Sequence, residues 1–395
     1  MVSALATACG TEHAQRRAPT QVRDSAGVTL LESSAPTADD DLGWRLDSVP
    51  LVDIGALAGP AELQLYQVRG ALRLDGGLAV LNAGTREVRL YGPDGRYLLA
   101  MGREGDGPGE FADPGSLARW SGDSLAVWDR QARRLTVFAA DGTFGRTLTF
   151  PPPEGLGIPE FSHRLVSGAL AVTNVKLSID GLSTGNVRIP FEVSLLSPEG
   201  ARLTSLGTYP GEETFIQISP GAVNVIRLPF ARGFSVAGHG EETVVAPNHR
   251  LELKYYGPDG TLRRIARVAI PPRPTSDADR QAYLEERLAN APEERRAGLR
   301  TMIREHPGTD TLPAFDGLVD DRAGNTWVRL FHSPADAEPG RWLVLDDQGA
   351  LLGTVALPVG IDVYEIGLDW LLGRWTDEFD VEHVRLWRLR GRRPG

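Results

Sequence analysis

Five times along this chain a strand runs into a short polar turn containing glycine, and a second strand follows. The turns are Gly92-Pro93-Asp94-Gly95, Ala139-Ala140-Asp141-Gly142, Ser197-Pro198-Glu199-Gly200, Gly257-Pro258-Asp259-Gly260 and Asp346-Asp347-Gln348-Gly349. The strands before them end in aromatic or aliphatic residues, as in Val88-Arg89-Leu90-Tyr91, Leu135-Thr136-Val137-Phe138 and Leu253-Lys254-Tyr255-Tyr256. Such turns demand a positive φ, which glycine adopts at almost no steric cost. The turns recur at roughly 45 to 60 residues, the length of one four-stranded unit in a radial β array. The last interval is longer because it encloses a helical segment at about 276–306.

The first unit opens with Tyr66-Gln67-Val68-Arg69 and Ala71-Leu72-Arg73-Leu74. A buried strand, Gly77-Leu78-Ala79-Val80-Leu81, comes next, and a hairpin runs from Glu87 to Ala100. The second repeats this with Ser124-Leu125-Ala126-Val127-Trp128-Asp129, Leu135–Phe138 and Thr143–Leu148. The third holds Gly168–Asn174 and Phe191–Leu196; the fourth, Glu242–Ala246 and Leu251–Tyr256; the fifth, Leu318–Arg329 and Arg341–Leu345. The chain then ends in three strands, Val363–Ile366, Asp369–Gly373 and Val381–Leu389, with no sixth hairpin turn. A fourth strand is needed there, and Gly27-Val28-Thr29-Leu30-Leu31-Glu32 is the upstream candidate. Pairing it with the last unit would leave no open edge.

The linker Met101-Gly102-Arg103-Glu104-Gly105-Asp106-Gly107-Pro108-Gly109-Glu110-Phe111, with Pro114 and the strand ending in Asp129, resembles an NHL-type repeat. The Gly-rich run lacks the Gly-Lys-Ser/Thr ending of a phosphate loop, and no helical pattern follows it. With the terminal Asp377-Glu378-Phe379-Asp380-Val381-Glu382-His383-Val384 stretch, nearly the whole chain resembles bacterial six-bladed β-propeller lipoproteins related to NHL-repeat proteins. The expected fold is therefore all-β: a six-bladed β-propeller closed by an N-terminal strand, with a short helical insertion between blades four and five. What the resemblance implies is a fold and an envelope location rather than a reaction.

The only cysteine fits that location. Leu5-Ala6-Thr7-Ala8-Cys9-Gly10 resembles a lipobox, which implies acylation at Cys9 and a periplasmic or outer-membrane lipoprotein. Residues 1–24 are expected to be a truncated signal and flexible tether, 25–390 a single propeller, and 391–395 a basic tail. The formal net charge of −10 argues against nucleic acid, which needs a basic footprint. No apolar run of about 18 residues occurs, so membrane contact is expected only through the lipid.

Propellers bind at the mouth of the central channel. Related lactonases hold a divalent metal there with Glu, Asn and Asp from separate blades, and Asn82, Asp129, Asn174 and Asp320 are available for that role. Their places at strand ends also suit turn capping. The NHL-related lyases would use histidines on zinc. Among the seven here, His163, His239 and His332 fall in three blades, and none are closely spaced. No second cysteine supports a nucleophile. The expectation is a scaffold without a cofactor that takes a protein or small molecule at the channel face. A metal-dependent hydrolase or lyase is the alternative.

Ser276 and Asp279 form a capping-box pattern, and Pro292 suits the first turn of a second helix. Tyr283, Leu284 and Leu288, then Leu299, Met302 and Ile303, make apolar stripes at helical spacing. A helical hairpin packed on the propeller face is expected, serving as a brace, a lid or a docking surface.

Overall fold

The computed structural model describes residues 19–150, 159–176, 183–219 and 222–391. Cys9 lies outside them, as does most of the basic tail. The described strands form six sheets. Their innermost strands are Val68–Leu74, Pro114–Arg119, Glu160–Arg164, Phe234–His239, Phe315–Asp320 and Asp362–Ile366, and the strands that follow pair outward in sequence order, through the fourth strand in the first five sheets and the third in the sixth. Innermost strands touch those of the neighbouring sheets in cyclic order, the sixth meeting the first.

The second strand of a sheet shows why the sheets stack face to face. Gly77–Asn82 and Leu125–Asp129 are buried at every position, because both faces are covered and alternation gives way to a continuous apolar run. Six apolar cores result, each shared between neighbours. Leu81 and Leu90 of the first sheet meet Leu125 and Val127 of the second. Leu372 and Leu386 of the sixth meet Val68 and Val80 of the first.

The five glycine turns join the third and fourth strands of the first five sheets. Gly95, Gly142, Gly200, Gly260 and Gly349 have φ between 81° and 95°, and each amide donates to the carbonyl three residues before it, as from Gly95 to Gly92 at 3.0 Å. The carboxylates of Asp94, Asp141 and Asp259 accept from the amide two residues on. The sixth sheet has no such turn because its outer strand is not the next one in sequence.

That outer strand departs from expectation. Val28–Ser33 pairs in parallel with Leu262–Val268 of the fourth sheet, and Thr20–Ser25 pairs with it as a hairpin, making that sheet six-stranded. Glu382–Arg390 of the sixth sheet is instead met by Val52–Ile54 and by Arg45–Leu46. The reason lies in side-chain alternation. Val52 and Ile54 turn into the core between the sixth and first sheets, while Asp53 faces outward to His383 and Arg385.

The third sheet is also unusual. Its strands Gly185–Leu196 and Arg202–Ser219 run well past the others, and Ala222–Arg227 adds a fifth strand to the overhang. Helices α1 (Asp277–Ala289) and α2 (Glu293–Glu305) follow the fourth sheet and precede the fifth. Ser276 caps α1 in a complete capping box with Asp279, and Pro292 takes the N-cap of α2. The hairpin is braced from below: Tyr283 packs on Phe230 at 5.3 Å, and His306 on Phe215 of the overhang at 4.0 Å.

Candidate functional site

The six innermost strands all run the same way. Their leading ends meet in pairs such as Arg69 with Asp113, and their trailing ends in pairs such as Arg119 with Glu365 and His239 with Asp320. The assembly therefore has a leading face, which carries the overhang and the helices, and a trailing face.

At the trailing face, Glu365 accepts from the Arg73 amide at 2.6 Å and pairs with Arg119 at 3.1 Å and Arg322 at 3.3 Å. Both guanidinium groups also donate to the Arg73 carbonyl. His239 Nδ1 lies 2.8 Å from Asp320 Oδ2 and 3.2 Å from Thr326 Oγ1, while its Nε2 lies 3.1 Å from the Asp347 carbonyl. A carbonyl can only accept, so Nε2 carries a proton. Burial opposes charge on the ring, but the hydrogen bond and charge of Asp320 prevail and hold the imidazole above its usual range. Burial raises Asp320 as well, with His239 opposing. The pair thus binds its shared proton tightly.

His163 sits beside this pair at the end of the third inner strand, with Nε2 3.1 Å from Thr243 Oγ1 and Nδ1 3.0 Å from Ser162 Oγ. Burial alone pushes its imidazole down to about 4, so the ring is neutral. Both nitrogens of both rings thus have hydrogen-bond partners within the protein. Of the other sequence candidates, Asn82 ties down neighbouring chain: it accepts from the Tyr66 amide and donates to the Thr85 hydroxyl. Asp129 holds a turn through the amides of Ala112, Asp113 and Ala132. Asn174 stands opposite Glu192 in the third sheet. His332 lies in a loop of the fifth sheet, against the Glu338 carbonyl. Only His239 and Asp320 are brought together.

At the leading face, Arg329 pairs with Asp316 at 2.6 Å, and Arg374 pairs with Asp362 and, at 2.6 Å, with Glu382. Asp113 takes both Arg69 and Arg130. Burial raises the carboxyl groups of Asp316 and Glu160 above the usual range, with nearby arginines opposing. Beneath the overhang, where the third and fourth sheets meet, lies a cavity of about 460 Å³ lined by Glu160, Phe161, Phe191, Phe234 and Thr214, among others. Sequence reasoning missed it. Ile189, Phe191 and Val193 alternate as a strand should, but nothing local reveals that the strand overhangs its sheet.

Among the described residues, no three His, Cys, Asp or Glu side chains converge where a metal ion could be held, and no helix is long and apolar enough to cross a membrane. No family model and no curated protein sequence matches the chain. Solved structures do. A candidate exported protein from Bacteroides fragilis is 12% identical with a TM-score of 0.51, over 91% of this chain and 99% of that one. A gluconolactonase from Xanthomonas campestris is 14% identical with a TM-score of 0.40, over 87% of this chain and 100% of that one. Virginiamycin B lyase from Staphylococcus aureus is 10% identical with a TM-score of 0.40, over 87% and 99%. The described residues form an all-β fold of the β-propeller type, six sheets touching in cyclic order, with two α-helices.

Proposed function

We propose that this protein is a six-bladed propeller, closed between its sixth and first sheets by Val52–Ile54 and anchored in the cell envelope by a lipid on Cys9. It acts there as a binding or protein-interaction scaffold, taking a protein or small molecule at the channel face. The observation that carries the binding reading is that the ionisable groups at the inner-strand ends are engaged with one another. Arg119 with Glu365, His239 with Asp320 and Arg329 with Asp316 are such pairs, and no three metal-ligating side chains converge among the described residues. Closure is supported by the pairing of Ile54 with Val384 and by the core shared between the sixth and first sheets. The envelope location is supported by the Leu5–Gly10 segment, and the Bacteroides fragilis structure of like fold carries the description of a candidate exported protein.

A metal-dependent hydrolase or lyase of the gluconolactonase or NHL-lyase type is the second reading, and the His239–Asp320 pair is the feature that favours it. Calorimetric titration with Ca²⁺, Mg²⁺ and Zn²⁺ separates the two. The scaffold predicts no saturable binding that Asp320→Asn removes; micromolar binding lost in that variant would establish the enzyme reading instead. For the anchor, cells are labelled with a radioactive fatty-acid precursor. Label is expected in the wild type and absent in Cys9→Ala, and equal labelling of the two overturns the anchor.

A further inference from the structure

Strand order fixes where the chain enters the fold. Phe234–His239 runs from the leading to the trailing face, and the next three strands alternate from it, so Leu262–Val268 runs back toward the leading face. Val28–Ser33 lies parallel to that strand, and Thr20–Ser25 is antiparallel to Val28–Ser33. Thr20 therefore enters from the leading face. Cys9 stands eleven residues earlier, a reach of at most about 40 Å for a fully extended chain. Passing to the trailing face would consume about half of it, since six strand residues span about 20 Å. A lipid on Cys9 thus holds the leading face nearer the bilayer.

The overhang on that same face ends in exposed apolar side chains. Val223 stands opposite Ile218, and Val225 opposite Ile216, and residues directly opposite share one face of a sheet. Ile216 is buried, but Ile218, Val223 and Val225 are 41%, 52% and 57% exposed. Ile218 lies three residues beyond Phe215, where His306 packs, so the strand extends about 10 Å past that brace. Single exposed apolar residues are ordinary, but three on one face at the end of a projecting hairpin mark a contact surface. Charge selects what it contacts. No Asp or Glu occurs from Thr214 to Gly240, in a chain that has 52 of them and a net charge of −10. An acid-free apolar tip is the part of such a chain that an anionic bilayer repels least.

We propose that Ile218, Val223 and Val225 dip into the surface of the bilayer that carries the Cys9 lipid, which turns the leading face toward the membrane and the Glu365 network away from it. This contact rests on the lipid-anchor reading above and fixes the orientation in which the anchor holds the fold.

The test uses the acylated protein reconstituted on vesicles of phosphatidylethanolamine and phosphatidylglycerol. Acylation consumes the only cysteine, so Val223→Cys and Val225→Cys each supply one free thiol for an environment-sensitive fluorophore. Gln348→Cys, in the exposed glycine turn at the trailing face, is the control. Relative to the same proteins carrying Cys9→Ala in buffer, emission at positions 223 and 225 should rise at least ~2-fold and be quenched by lipid-borne nitroxides, as burial about 5–10 Å into the interface requires. Position 348 should not change. Thermal melting of each labelled protein confirms that it folds. Protein that floats with the vesicles while positions 223 and 225 keep their aqueous emission overturns the contact and leaves the anchor standing. A rise at 348 alone overturns the orientation. A rise at 223 that grows with the concentration of the unacylated protein in buffer assigns the tip to a second copy of this chain and overturns the membrane contact. Protein that does not float with the vesicles overturns the anchor itself, and the contact with it.

Discussion

Ile54 stands opposite Val384 in antiparallel register, joining the N-terminal part of the chain to its last sheet. Ile54 is 1% exposed and packs with Leu372 and Val68. Ile54→Ala should therefore cost about 2–5 kcal/mol, the usual range for emptying a packed site. Leu30→Ala, on the half-buried strand of the fourth sheet, should cost clearly less. Urea unfolding of both variants measures this. A larger loss at Leu30 would mean that the earlier strand, not Val52–Ile54, holds the fold together.

The glycine turns can be tested at Gly95, whose φ is 81° and whose added Cβ would come within 3.0 Å of Val52. Gly95→Ala should cost about 1–2 kcal/mol, the penalty of the left-handed region for an L-residue. The thermal midpoint is the readout, and an unchanged midpoint would remove the turn from the features that stabilise the fold.

His163 and His239 should titrate stability in opposite windows. His163 is held down to about 4 by burial, so the unfolded chain takes up its proton first, and stability falls as pH drops from about 6.5 toward 4. The slope from this one group is at most about 1.4 kcal/mol per pH unit. His239 is raised despite burial, through its bond to Asp320. Its contribution is full below about 6.5 and is lost as pH rises through its higher folded value. Chemical denaturation across pH 4 to 9 should show His163→Asn flattening the acid limb and His239→Asn the alkaline one. Identical profiles for both variants would sink this assignment.

Thr214→Val removes a buried hydroxyl that has no partner. It should raise stability by about 1 kcal/mol, since an orphaned polar group is worse than an apolar one of the same shape. A lowered thermal midpoint would show that the hydroxyl is already satisfied.

Glu365 gathers the Arg73 amide, Arg119 and Arg322 at the trailing face. Glu365→Ala should cost about 3–5 kcal/mol, because it leaves partly buried donors without an acceptor. Glu365→Gln should recover part of that, as the amide oxygen still accepts from Arg73. Guanidinium denaturation compares them, and equal stability of all three proteins would count against the network.

The repeat was legible because its determinants are local. Each of the five turns needs a positive φ at one glycine, and each buried second strand needs a continuous apolar run; both are written within a few neighbouring residues. The capping box at Ser276 and Asp279 was legible for the same reason. Pairing partners were less so. A free outer strand had to complete the last sheet, but three alternating residues, Val52 to Ile54, carry too little pattern to outrank the longer apolar stretch at Val28.

What the sequence determined by itself was the type of each element and the rhythm of the array, since backbone preference and apolar spacing act over short distances. Only the tertiary structure decided which distant groups meet. His239 finds Asp320 across two sheets, and Glu160 comes to share a cavity with Phe191 and Phe234 beneath a hairpin that outgrows its sheet. Such meetings depend on how whole sheets stack, and no short window of residues encodes that.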